Sequence, residues 1–164
     1  MKISLKHTLV ILTLISISMF SFSQKEENNV IAKFIITEAT INGIDETDTY
    51  LEQEACIVFY TFEKDKLIYM ANYWKKNNTQ SFGPMYGTKS LNHKETSKTY
   101  ESKEFNFSWR YTNDYDNKTG TAKVLFTEIY KPNGIVFTIR IIPENLEVIE
   151  FIGYMEGSIK FSDY

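Results

Sequence analysis

Cysteine, proline, glycine and histidine are all scarce: the 164 residues hold one Cys, 3 Pro, 7 Gly and 2 His. A single cysteine excludes a disulfide framework, and Cys56, inside the apolar run of residues 55–60, has no partner for an internal bridge. Apolar neighbours disfavour its thiolate, so Cys56 reads as a small core residue and not as a nucleophile. The low glycine and proline content excludes collagen-like and low-complexity chains. Disorder is excluded by a composition that is 43% hydrophobic and 15% aromatic. A formal charge of −3 offers no basic surplus, which argues against nucleic acid as a partner. Long apolar runs are also missing. The run at residues 9–20 is 12 residues long, short of the ~20 that a membrane-spanning helix needs.

That run has the layout of an export signal. Lys2, Lys6 and His7 precede it, and Ser21 and Ser23 stand at −3 and −1 of the Ser23–Gln24 bond, the small residues that a signal peptidase accepts. Residues 1–23 are expected to be a removable signal peptide. Residues 24–164 then form a single β domain, periplasmic or secreted, structured from about residue 33. No cysteine stands at the cleavage point to carry a lipid. Losing Lys2 and Lys6 leaves 16 basic residues against 21 acidic ones.

From residue 33 onward, β-branched and aromatic residues cluster in short runs separated by turn residues. The runs are 33–42, 55–63, 66–74, 81–88, 96–102, 104–112, 121–130, 135–142, 147–152 and 157–161. Most connections are short, such as Lys64-Asp65 and Lys131-Pro132-Asn133-Gly134, so hairpins and an up-and-down order are expected. The one helix candidate is 45–54, with Asp45 to cap it and Tyr50 and Leu51 to bury. Several runs are apolar on both faces: in 66–74, Leu67, Tyr69, Ala71 and Tyr73 alternate with Ile68, Met70 and Trp74. A single open sheet leaves one of those faces wet. The fold class expected is therefore all-β, an antiparallel up-and-down barrel or a two-sheet sandwich of 8–10 strands with one short helix.

The opening strand, with Thr37, Ala39 and the Asn42-Gly43 turn, followed by a short helix and a run of hairpins, resembles small lipocalin-like secreted proteins of bacteria. The likeness covers about a quarter of the chain. Phe34 stands where such domains carry a Trp that meets a late-strand Arg, so the resemblance implies a contact between Phe34 and Arg140. The signal sequence and the usage of Lys, Asn, Ile and Tyr are also similar to those of small secreted proteins of flavobacteria.

No constellation of residues names a reaction. Beyond the leader the only histidine is His93, in a polar stretch expected to be a solvated loop, and one histidine without cysteines does not build a zinc site. No Gly-x-Ser-x-Gly elbow occurs. Residues 113–120 are rich in side-chain oxygens but fail the spacing of a calcium loop, which leaves a hairpin turn. Glu128, Glu150 and Glu156 are expected to face solvent. Neither catalytic residues nor a metal nor a cofactor is expected, and no protein partner is specified. The aromatic surplus, with 11 Tyr and 12 Phe, fits a packed core or a ligand-lined cavity. For a cavity the candidate lining is Tyr69, Trp109, Tyr111, Phe137 and Arg140, the last facing an anionic group. The expected function is an exported barrel that binds a small, largely apolar molecule. The alternative is a cavity-free β domain acting as an extracytoplasmic interaction or envelope-associated module.

Overall fold

The computed structural model describes residues 28–63, 67–94, 101–144 and 147–161, with 88 and 90–94 as backbone. Eight long strands follow one another: β1 (Asn28–Ile41), β3 (Ala55–Phe62), β4 (Tyr69–Trp74), β5 (Thr79–Lys94), β6 (Glu101–Asn113), β7 (Thr119–Lys131), β8 (Gly134–Pro143) and β9 (Ile149–Gly157). A two-residue β2 (Ile44–Asp45) and the helix α1 (Thr47–Glu52) lie between β1 and β3. Each long strand is antiparallel to the next, and β9 returns to pair with β1 from Ala32↔Gly157 to Ile41↔Ile149. That last pairing makes a closed eight-stranded barrel, not a sandwich, and leaves neither end of the strand order as a free edge.

Closure depends on glycine. Gly153 lies opposite Ile36, and a Cβ there would stand 2.0 Å from the Ile35 carbonyl oxygen. β1 also bends at two bulges, between Val30 and Ala32 and between Ile36 and Glu38, which curve it enough to serve both neighbours. At the β1–β2 turn, Asn42 and Gly43 take φ values of 51° and 81°. Two positive values in a row suit a tight hairpin, and Asn and Gly adopt them at least cost.

The inner face is packed by pairing large residues with small ones across neighbouring strands: Trp109 with Ala122, Phe151 with Ala39, Phe59 with Ala32. Bulky and small side chains thereby fill a narrow cylinder without collision. Phe34, Phe59, Phe126 and Phe151 are all at most 1% exposed. One end is plugged by Phe161, whose ring lies 4.8 Å from Phe105 and 5.1 Å from Phe126.

Several sequence expectations are corrected. β1 starts at Asn28, ahead of residue 33. The runs 81–88 and 104–112 extend into longer strands, so β5 reaches Lys94 and β6 begins at Glu101; residues 96–100 lie outside the described ones. β9 continues to Gly157, and residues 158–161 form no strand; they carry Phe161 back into the barrel. In α1, Tyr50 is buried but Leu51 is 48% exposed, because a helix this short presents a single face to the barrel. Phe34 and Arg140 do not meet: Phe34 points inward at 0% exposure while Arg140 is exposed on the outer face.

Candidate functional site

Opposite the Phe161 plug, beneath α1 and beside the β4–β5 and β6–β7 turns, the barrel opens into a cup of about 340 Å³. Strand alternation explains where it lies. On β4 the side chains of Met70, Asn72 and Trp74 share the inner face, so a row that is apolar at mid-barrel turns polar at Asn72. Asn72 faces Ser81 on β5, and the Ser81 hydroxyl donates to Asn113 Oδ1 at 2.7 Å. Tyr50, Trp74 and Tyr115 give the cup aromatic walls, and Ile149 an aliphatic one.

α1 holds Tyr50 over this end. The Thr47 hydroxyl oxygen accepts from the Ala39 N–H at 3.0 Å, and the Glu46 N–H donates to the Ala39 carbonyl at 2.9 Å. The Tyr50 ring then leans on Trp74, with centroids 4.9 Å apart, and sets its edge against Phe151 at 5.1 Å. Burial, reinforced by the charge of Glu46, pushes the Tyr50 phenol up to about 12, so it stays protonated at physiological pH.

Asn72 is the chemical peculiarity of the cup. It is 9% exposed, the one polar side chain in the buried set among the described residues, and its Oδ1 accepts no hydrogen bond. A buried amide oxygen without a donor costs about 1–3 kcal/mol.

The candidate lining residues fall on both sides of the barrel wall. Trp109, Tyr111 and Phe137 share the inner face. Trp109 is 3% exposed and its indole N–H donates to the Met70 carbonyl at 3.1 Å, so its one polar atom is used by the fold. Tyr111 packs on Trp109 with centroids 4.9 Å apart, and Phe137 lies 5.8 Å from Phe126, opposite Gly153. Tyr69 and Arg140 are on the outer face. Tyr69 stacks on Tyr60 at 5.5 Å, and Arg140 Nε pairs with Glu150 Oε1 at 3.0 Å. With Ile139 and Ile141 turned inward on β8, the residue between them is bound to point out. Tyr69 borders a groove on the outer side of β3–β7, and Arg140 borders another on the outer side of β6–β9 and β1. These residues do not converge on one cavity.

Asn72 escapes a sequence reading that follows apolar periodicity, because it interrupts the row Ile68, Met70, Trp74 instead of extending it. That interruption is itself the signal: a lone amide in a row otherwise bound for the interior. His93 is on β5 opposite Ser102, in a strand and not a loop. Cys56 is 6% exposed, and burial pushes its thiol up, which keeps it protonated. Residues 113–120 form a hairpin turn in which the Lys118 N–H donates to Asp116 Oδ1 at 3.0 Å and the Lys118 ammonium pairs with the same carboxylate. Glu150 and Glu156 are exposed, while Glu128 is half-buried and accepts from the Tyr130 hydroxyl. Among the described residues no group of His, Cys, Asp and Glu is placed to hold a metal ion, and no helix is long and apolar enough to cross a membrane.

Fold and cup together define an eight-stranded antiparallel barrel, plugged by an aromatic residue at one end and topped by a short helix over a partly polar cup at the other. Compared with protein-family models, with curated proteins and with solved structures, the chain matches none.

Proposed function

We propose that this protein is an exported, lipocalin-like barrel that binds a small, largely apolar molecule in the cup beneath α1. The observation that carries the reading is Asn72, a buried amide whose Oδ1 is unpaired among aromatic walls. A ligand with an apolar body and one hydrogen-bond donor satisfies that oxygen while its body packs on Tyr50 and Trp74. Export rests on the leader at residues 1–23. The middle of the barrel is filled by phenylalanine rings, so the ligand belongs at the helix end and not in a deep central calyx.

Native mass spectrometry of the exported chain tests the reading without a prior guess at the ligand. The expected result is a reproducible added mass that is lost on denaturation and reduced in Asn72→Ala. A bare mass, with no change in tryptophan fluorescence when hydrophobic dyes are added, overturns it. That result leaves the second reading, an interaction module with a solid core, which the filled mid-section favours.

A further inference from the structure

The outer wall of the barrel carries a groove that is separate from the cup. It runs across β3 to β7 with a volume of about 560 Å³. One side is aromatic. Tyr60 stacks on Tyr69 with centroids 5.5 Å apart, Phe62 sets its edge to Tyr69 at 4.8 Å, and Phe82 and Pro84 extend the surface along β5. The other side is polar, with Arg110, Thr121 and Glu144.

Two glycines let the strands of this wall approach closely. Gly83 lets β5 close on β6: a Cβ at that position would stand 1.9 Å from the Arg110 carbonyl oxygen. Gly120, another residue of the groove, is overlaid by the Tyr111 ring, so a Cβ there would meet the Tyr111 hydroxyl at 2.4 Å. Both glycines lie on the inward register, Gly83 opposite Met70 and Gly120 opposite Tyr111, so they let the strands beneath the groove pack closely while Phe82, Pro84, Arg110 and Thr121 on the outward register line it.

We infer that this outer groove is a saccharide-binding site. A pyranose ring has one face of C–H groups and a rim of hydroxyls. The electron-rich face of an aromatic ring attracts the C–H face, and side chains that both donate and accept satisfy the rim. Within the groove Tyr60, Phe62 and Tyr69 already pack on one another, which leaves the Phe82 ring to meet the C–H face, and the Arg110 and Glu144 charges sum to zero, which matches a neutral sugar. A proline-rich peptide fits less well. Its backbone is rich in carbonyl acceptors and poor in donors, which leaves Glu144 facing carbonyl oxygens. The inference does not depend on the cup, since the two sites lie on opposite faces of the wall.

The test is an amide NMR titration of the exported chain with two neutral trisaccharides, cellotriose and maltotriose, alongside an oligoproline peptide. The expected result is that one sugar shifts amides at Phe82, Arg110 and Thr121, that the peptide does not, and that Arg110→Ala weakens sugar binding about tenfold, as the loss of a charged hydrogen bond should. Arg110 is exposed, so this variant keeps the fold, and Phe82→Ala provides a second probe of the aromatic side. The proposal is overturned if neither sugar shifts these amides at millimolar concentration, if the shifts fall at Asn72 and Trp74 instead, if the peptide alone occupies the groove, or if both variants bind as the parent does.

Discussion

Tyr50 and Tyr60 illustrate how single residues tie this fold to pH. Both phenols are pushed from 10.0 up to about 12, chiefly by burial, with the charge of Glu46 adding to the effect at Tyr50. The native state therefore holds two protons that the unfolded chain begins to release near pH 10. Stability from this source is fully present below that pH and declines as pH rises towards 12, because the unfolded state is the one that binds fewer protons there. Urea unfolding midpoints should be level from neutral pH to about 10 and then fall, with a shallower fall in Tyr50→Phe. A midpoint that stays level to pH 12 would contradict this assignment. The burial of Cys56 was legible at this scale, since its apolar neighbours announce it. The unpaired oxygen of Asn72 was not, because the missing donor is a property of what surrounds the residue, not of the residue itself.

At the scale of elements, the C-terminal segment shows where pattern reading stops. Residues 157–161 alternate like a strand, with Ile159 and Phe161 on one face, but closure of the barrel has already paired β9 with both β8 and β1. No edge remains for another strand. The segment instead turns in and buries Phe161 to 3% exposure among Phe59, Phe105, Phe107 and Phe126. Phe161→Ala should therefore cost about 3–5 kcal/mol, like other deletions of a large core side chain, measured by chemical denaturation. It should also open the plugged end to a hydrophobic dye, and a loss comparable to that of a surface substitution would mean that the ring is not part of the core. The position of α1 was legible from its acidic first turn, but the helix is Thr47–Glu52 and not 45–54. Asp45 does not cap it: Asp45 ends β2 and accepts from the Thr47 N–H at 2.9 Å, while the N-cap is Glu46 with no side-chain capping bond. The exposure of Leu51 was not legible, because it depends on how α1 is rotated over the barrel end.

For the whole molecule, the decisive event is the meeting of β1 and β9. They are joined at one point by the Thr37 hydroxyl donating to the Ile152 carbonyl at 3.1 Å, across a sequence separation of 115 residues. Gly153 is the weak position of this seam. Gly153→Ala drives a methyl group against the Ile35 carbonyl and the Phe34 ring, and the strands have to part. The expected loss is about 3 kcal/mol, at the upper end of what overpacking costs, and a thermal midpoint unchanged from the parent would refute the tight closure described here. From sequence alone follow the β class, the hairpin order, the single short helix and the burial of Cys56. Those features depend on neighbours within a few residues: alternation of period 2, turn residues at fixed offsets, and apolar flanks. Barrel over sandwich, the division of Trp109 and Tyr69 between inside and outside, the cup around Asn72 and the outer aromatic groove were decided only in three dimensions. Alternation divides a strand into two faces without saying which one is interior. That choice is made when registers set between distant strands close the sheet on itself.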